Sequence, residues 1–142
     1  MFTGEYRHSV DEKGRIAVPS RFRASLAEGA FVSRWVDGCL AIFPRSEWEA
    51  LAEKVAGLRI TDPGSRAFQR FLFGGAIEVE LDRQGRVLVP AYLRDWADLA
   101  GDAVIVGSRD HAEIWAPDRW DGVRRELEDP ARLADHLDGL GI

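Results

Sequence analysis

The chain has 142 residues, 46% hydrophobic and 30% charged, which excludes a disordered polymer and suits one compact domain or two very small ones. No apolar run approaches the roughly 18 residues a membrane-crossing helix needs, and the opening Met1–Glu5 has no charged-then-apolar leader pattern, so a cytoplasmic setting is expected. The net charge of −5 argues against a nucleic-acid partner only until the chain is divided: residues 1–71 hold 11 Lys and Arg against 9 Asp and Glu (+2), and residues 72–142 hold 8 against 15 (−7), so one face can still be basic.

In chain order, Tyr6, His8 and Val10 mark the inward side of a first strand, which runs into the turn Asp11-Glu12-Lys13-Gly14-Arg15. The Asp can accept from backbone N–H groups of its own turn, and the Gly supplies the positive φ that closes a hairpin. A strand over Ile16–Val18 follows. Pro19 cannot donate to a sheet but can open a helix, which is expected over residues 19–26. Strands are expected over Phe31–Trp35 and Leu40–Phe43. Next comes a helix in which Ser46 and Glu49 form a capping box and Trp48, Leu51, Ala52 and Val55 line one face. Arg59–Gly64 reads as a loop, and Ser65 as the cap of a short helix with Phe68, Phe71 and Leu72 inward.

The series then repeats. Asp11-Glu12-Lys13-Gly14-Arg15-Ile16-Ala17-Val18-Pro19 matches Asp82-Arg83-Gln84-Gly85-Arg86-Val87-Leu88-Val89-Pro90 at an offset of 71, and Ile42-Phe43 and Trp48 match Ile114-Trp115 and Trp120 at 72. The second copy has a strand with Ile77, Val79 and Leu81 inward, a helix over 90–98, strands over Ala103–Val106 and Ala112–Trp115, and a helix capped by Asp118 with Trp120, Val123 and Leu127 on its stripe. The expected divisions are a first unit at 1–56, a linker with a short helix at 57–75, a second unit at 76–128 and an acidic tail at 129–142 that carries Leu133, Leu137 and Leu140 at helical spacing. A unit of about 50 residues buries too little surface to stand alone. Two such units can interleave their hairpins into a shared barrel and so cover their open strand edges.

Cys39 has no partner for an internal disulfide, and His8, His111 and His136 lack metal-ligand spacing, so neither a metal nor a cofactor is expected. No phosphate-binding glycine loop, zinc-protease helix or nucleophile elbow occurs, which excludes the common enzyme classes.

The doubled Asp-x-x-Gly-Arg-φ-x-φ-Pro, each followed by a short Arg-bearing helix (Arg23 and Arg94), resembles the AbrB-like swapped-hairpin DNA-binding unit. With Met1-Phe2-Thr3-Gly4-Glu5-Tyr6 and Arg70-Phe71-Leu72-Phe73-Gly74-Gly75-Ala76, the chain resembles the MraZ family over residues 1–128. The resemblance implies an α+β fold of two tandem AbrB-like swapped-hairpin β-barrel units related by a pseudo-twofold axis. It also implies a nucleoid-associated, sequence-specific repressor of its own division and cell-wall gene cluster, which reads direct repeats in promoter DNA as a closed homo-oligomeric ring. The implied DNA contacts fall on Arg15 and Arg86, with Lys13 and Arg83 as neighbouring basic positions that differ between the copies.

The residues suggest how such contacts would work. A β-ribbon can enter the major groove, where arginine suits bidentate contact with guanine and lysine acts as a point charge. Lys13 and Arg15 sit at the first turn, and Arg7, on the strand leading to it, could add a phosphate contact. The first turn lies in the less acidic half and carries Lys13, so it is expected to bind more strongly, with the second turn leaning toward assembly. The +2 half of one subunit is expected to pack against the −7 half of the next, a head-to-tail contact that closes into a ring if the rotation permits. Arginine beside a turn Asp also has a plainer role, pairing with it to hold the hairpin. The competing function is an antitoxin-like or structural assembly protein with a protein partner and no need of a basic turn tip.

Overall fold

The computed structural model describes residues 1–142 and contains eight strands and six α-helices. The first copy supplies β1 (Glu5–Ser9), β2 (Arg15–Ala17), α1 (Ser20–Leu26), β3 (Ala30–Arg34), β4 (Leu40–Pro44) and α2 (Arg45–Ala56). The connector forms α3 (Pro63–Gly75). The second copy repeats the order with β5 (Ile77–Val79), β6 (Arg86–Leu88), α4 (Ala91–Ala97), β7 (Asp102–Gly107), β8 (Ala112–Trp115) and α5 (Pro117–Glu128), and α6 (Pro130–Leu137) follows. The short helices open after Pro19 and Pro90, as expected of a residue that cannot continue a sheet but is pre-set for a helix. No helix is long and apolar enough to cross a membrane.

Six strands form one antiparallel sheet in the order β1-β7-β8-β4-β3-β5. Exchanging the copies turns this order into its own reverse, so a pseudo-twofold axis passes between β4 and β8. Each copy keeps its own hairpin, β3–β4 or β7–β8, but its opening strand pairs with the other copy: β1 with β7, and β5 with β3. The remaining strands, β2 and β6, pair with one another, and a single antiparallel bridge between Val10 and Ile16 ties β2 to the chain just after β1. The copies are thus interleaved, as the duplicated pattern suggested. The closed barrels are not present, because the six strands form an open sheet with β1 and β5 at its edges and β2 and β6 stand apart as a ribbon. Each ribbon strand has three residues and runs within two residues of a proline, too short to extend the ladder further.

The molecule has three layers. One core lies between the sheet and the ribbon with α1 and α4. It combines Ile16, Val18, Phe22 and Leu26 of the first copy with Val87, Val89, Leu93 and Ala97 of the second, over Val32, Ile42, Ala103, Ile105 and Ile114 of the sheet. Ile16 and Val87 face one another across the ribbon and are 0% and 1% exposed; burying such a side chain is worth about 1.5–3 kcal/mol. The opposite face of the sheet packs against α2 and α3 through Ala41, Phe43, Trp48, Val55 and Leu72, and against α5 through Val104, Trp115 and Trp120. The connector helix is tied to β3 by Ser33 and Arg34, which donate to the Leu72 carbonyl (2.5 Å) and the Phe71 carbonyl (2.9 Å). Cys39 is buried, and burial raises its thiol pKa well above the ordinary range.

Several helix ends differ from the sequence expectation. The Ser46–Glu49 capping box does not form: α2 begins at Arg45, directly after Pro44, whose φ of −56° leads the chain from β4 into the helix. The connector helix begins at Pro63 rather than at Ser65, and its cap is Asp62, whose side chain accepts from the Gly64 N–H at 2.9 Å. Asp118 lies inside the first turn of α5, because Pro117 takes the first helical position; its charge there still faces the positive end of the helix. Leu127 is exposed rather than packed, and α6 buries none of its residues.

Candidate nucleic-acid interface

Each turn is built by its aspartate. Asp11 Oδ1 accepts from the Lys13 N–H (3.0 Å) and the Arg15 N–H (2.9 Å), and Oδ2 accepts from Arg15 Nε at 2.7 Å. Asp82 does the same with the Gln84 N–H, the Arg86 N–H and Arg86 Nε, each at 2.9 Å. The Arg15 N–H first of all, then the Arg15 guanidinium and the Lys13 N–H, hold the Asp11 carboxyl below the usual carboxylate range against partial desolvation. Asp82 is lowered in the same way, chiefly by the Arg86 N–H.

The two turns meet in one place. The register pairs Arg15 with Leu88, Ile16 with Val87 and Ala17 with Arg86. Because strand side chains alternate, Ile16 and Val87 point into the core, while Arg15, Ala17, Arg86 and Leu88 share the outer face. The arginines occupy one diagonal of this square and the apolar residues the other. The Arg15 side chain is 34% exposed and that of Arg86 27%. Arg86 also reaches Asp11 of the other copy, with Nη1 3.5 Å from Oδ2.

The exchange extends to the turn glycines. The Val89 N–H donates to the Gly14 carbonyl and the Val18 N–H to the Gly85 carbonyl, both at 2.9 Å. Arg94 of α4 lies over Gly14, and Arg23 of α1 lies over Gly85. Their Nε atoms donate to the carbonyls of Val89 (2.9 Å) and Val18 (3.0 Å). Both glycines have positive φ, 88° and 74°, and a Cβ on either would collide with the arginine above it.

Lys13 and Arg83 are exposed at the two turns. Residues 11–18 and 82–89 carry four cations (Lys13, Arg15, Arg83, Arg86) against three anions (Asp11, Glu12, Asp82); Arg21, Arg23 and Arg94, against Asp95, in the flanking helices α1 and α4 bring the ribbon and its flanks to +3 on a chain of net −5. Four of the five candidate contact residues are therefore gathered on the ribbon and its turns. Arg7 is not. It pairs in register with Val104, whose side chain packs beneath α5, so it emerges on the far face of the sheet. There its Nε lies 3.8 Å from Asp102, and Glu5, Asp121 and Glu128 border the same surface. Alternation along β1 could have shown this, since Arg7 is out of phase with the inward Tyr6 and His8. Sequence reasoning also missed the cross-copy role of Arg23 and Arg94 and the place of Leu88 beside Arg15. Leu88 alone had a local signal, as an apolar residue at the outward step between Val87 and Val89.

The family model described as "MraZ protein, putative antitoxin-like" matches the chain twice in succession, over residues 1–71 and 72–137. The chain belongs to the MraZ family. Similar curated proteins include the Transcriptional regulator MraZ of Roseiflexus sp. (strain RS-1), 50% identical over 133 residues, which span 94% of this chain and 93% of that protein. The Transcriptional regulator MraZ of Desulfitobacterium hafniense (strain DSM 10664 / DCB-2) is 48% identical over 143 aligned residues, covering all of both chains. That of Herpetosiphon aurantiacus is 43% identical, also over the full length of both. The two consecutive MraZ matches coincide with the duplication and with the pseudo-twofold order of the sheet.

Proposed function

We propose that this chain is a DNA-binding transcriptional regulator that reads duplex DNA with the outer face of the β2–β6 ribbon. The observation that carries this reading is the pair of arginines on one ribbon diagonal, flanked by Lys13 and Arg83 on a locally cationic surface of an acidic chain. Similarity to relatives named transcriptional regulators supports it. Pairing with the turn aspartates and contact with DNA are compatible roles for Arg15 and Arg86. The Asp takes Nε and fixes the plane of the guanidinium. Both Nη groups of Arg15 remain free, as does Nη2 of Arg86, and these can meet a guanine edge or a phosphate with little further loss of freedom.

The finer reading is sequence-specific repression of the promoter of its own division and cell-wall gene cluster, with direct repeats read by a ring of subunits. The interleaved strand exchange is the form that AbrB-like swapped hairpins would take within one chain. A single ribbon covers few base pairs, and repeated subunits at fixed spacing would supply the missing affinity. The −7 charge of the second half and the exposed Leu133 and Leu137 of α6 support a head-to-tail contact with the basic half of a neighbour. Sedimentation across a salt series tests it, since an assembly mass independent of ionic strength would remove the electrostatic part. The antitoxin-like wording of the family description favours a second reading, capture of a protein partner.

The deciding measurement is binding to DNA from upstream of the chain's own operon across a salt series, for wild type, Arg15→Ala and Arg86→Ala. Each substitution is expected to cost about 1–3 kcal/mol, roughly 5- to 150-fold in affinity, and affinity should fall as salt rises. Unchanged binding by both variants at every salt concentration would move the interface elsewhere. Absence of DNA binding by the wild type would favour the protein-partner reading.

A further inference from the structure

The outer face of the ribbon offers one large apolar side chain to solvent. Leu88 is 56% exposed, although Val87 and Val89 on either side of it are almost completely buried. It stands directly across from Arg15 and two residues along the strand from Arg86, so it is flanked by both guanidinium groups. No helix covers it, since α1 and α4 pack on the core side with Phe22, Leu26, Leu93 and Ala97. Its counterpart in the first copy, Ala17, ends at Cβ and is only half exposed. The arginines thus obey the pseudo-twofold axis and the apolar pair breaks it.

In the major groove the only apolar group on a base edge is the C5 methyl of thymine. A ribbon that brings Arg15 to base edges must bring Leu88 there too, because the two sit opposite one another in a non-slipping register fixed by the burial of Ile16 and Val87. We propose that Leu88 is a specificity-determining residue that contacts a thymine methyl next to the base read by Arg15. Ala17 is too short to make the matching contact beside Arg86. The site read by one ribbon therefore has a direction: its two halves share an arginine contact, and only one of them demands thymine. This inference rests on the DNA-reading role of the ribbon.

The test starts with duplexes that the full-length wild-type protein selects from a randomised library. Each thymine in them is then replaced by deoxyuridine, which removes only the methyl group. Wild type should lose about 4-fold in affinity at thymines on one side of the arginine-contacted position, the equivalent of one buried methyl group. Leu88→Ala should bind the thymine and deoxyuridine duplexes equally. Ala17→Leu should acquire uracil sensitivity on the other side, which tests the idea with a variant that keeps Leu88. Uracil that is neutral everywhere for the wild type, or uracil sensitivity that survives in Leu88→Ala, would overturn the role of Leu88 while leaving DNA reading intact. A change of sedimentation mass in Leu88→Ala without a change in uracil sensitivity would make Leu88 a subunit contact and overturn the inference. Failure of the wild type to select any duplex would instead overturn the DNA-reading role itself.

Discussion

The two copies of the turn are almost superposable in their hydrogen bonds and unequal in what surrounds them. Both aspartates accept from two backbone N–H groups and one Nε, and both glycines lie beneath an arginine of the other copy. The differences sit at the edges of this shared design. Asp11 serves both arginines and Asp82 only its own; Lys13 stands where the second copy has Gln84, and Ala17 where it has Leu88. Duplication supplied the scaffold, and the side chains that build no hydrogen bond in the turn were left free to diverge. Four measurements probe how far the two copies differ.

The largest effect is expected at the glycines. A Cβ on Gly14 would stand 2.7 Å from the Val89 carbonyl oxygen, which is backbone and cannot step aside. At Gly85 the three nearest atoms belong to the Arg23 side chain, which can move at the expense of its hydrogen bond to the Val18 carbonyl. Both substitutions also meet the left-handed backbone penalty of about 1–2 kcal/mol. Gly14→Ala should therefore cost about 2–4 kcal/mol of stability and Gly85→Ala less, as read from urea midpoints. Gly101→Ala, with φ of 77° and nothing near its Cβ, supplies the backbone penalty alone. Equal losses at Gly14 and Gly85 would show that the two clasps are interchangeable.

Next in size is the difference between the arginines in DNA binding. Arg86 Nη1 is partly engaged by Asp11, whereas both Nη groups of Arg15 are free. Arg15→Ala should thus lose more than Arg86→Ala within the range of about 1–3 kcal/mol for a base contact. The reverse order would assign the stronger contact to the second copy.

A smaller effect concerns acid. Asp11 and Asp82 both have carboxyl pKa values lowered in the folded chain. Their contribution to stability is complete above the unfolded value of about 3.9 and is lost as pH falls through the lower folded values. Carboxyl chemical shifts followed during acid titration should show both groups still ionised where ordinary aspartates have taken up protons. Ordinary titration of either one would dissolve the ion pair assigned to its turn. The smallest effect is a charge at the tip: Gln84→Lys, which restores the repeat, should steepen the dependence of log affinity on log salt by about 0.9 if the new lysine meets a phosphate, and Lys13→Gln should flatten it equally.

Arg15 and Arg86 lie on one face, two residues apart across the ribbon, so the two turns form a single surface. The sequence split the turns between two units because it carries the copies one after the other. Arg7 shows the opposite case: it is near the turn along the chain, but the alternation of β1 sends it to the far face of the sheet, beside Glu5, Asp121, Arg124 and Glu128.

By itself the sequence determined the duplication, the turn chemistry and the placing of most strands and helices, because hydrogen bonds within five residues, proline φ limits and strand alternation are local properties. Pro44, Asp62 and Pro117 show where even local signals compete, since a proline or an Asp one to three residues upstream started the helix before the expected cap could act. Tertiary structure alone decided that β2 would pair with β6, because the choice of partner depends on burying Ile16 against Val87, 71 residues away. That single pairing turned two arginines on separate hairpins into one surface, brought Arg23 and Arg94 over the glycines of the opposite copy, and left Leu88 beside Arg15 with nothing in the chain to cover it.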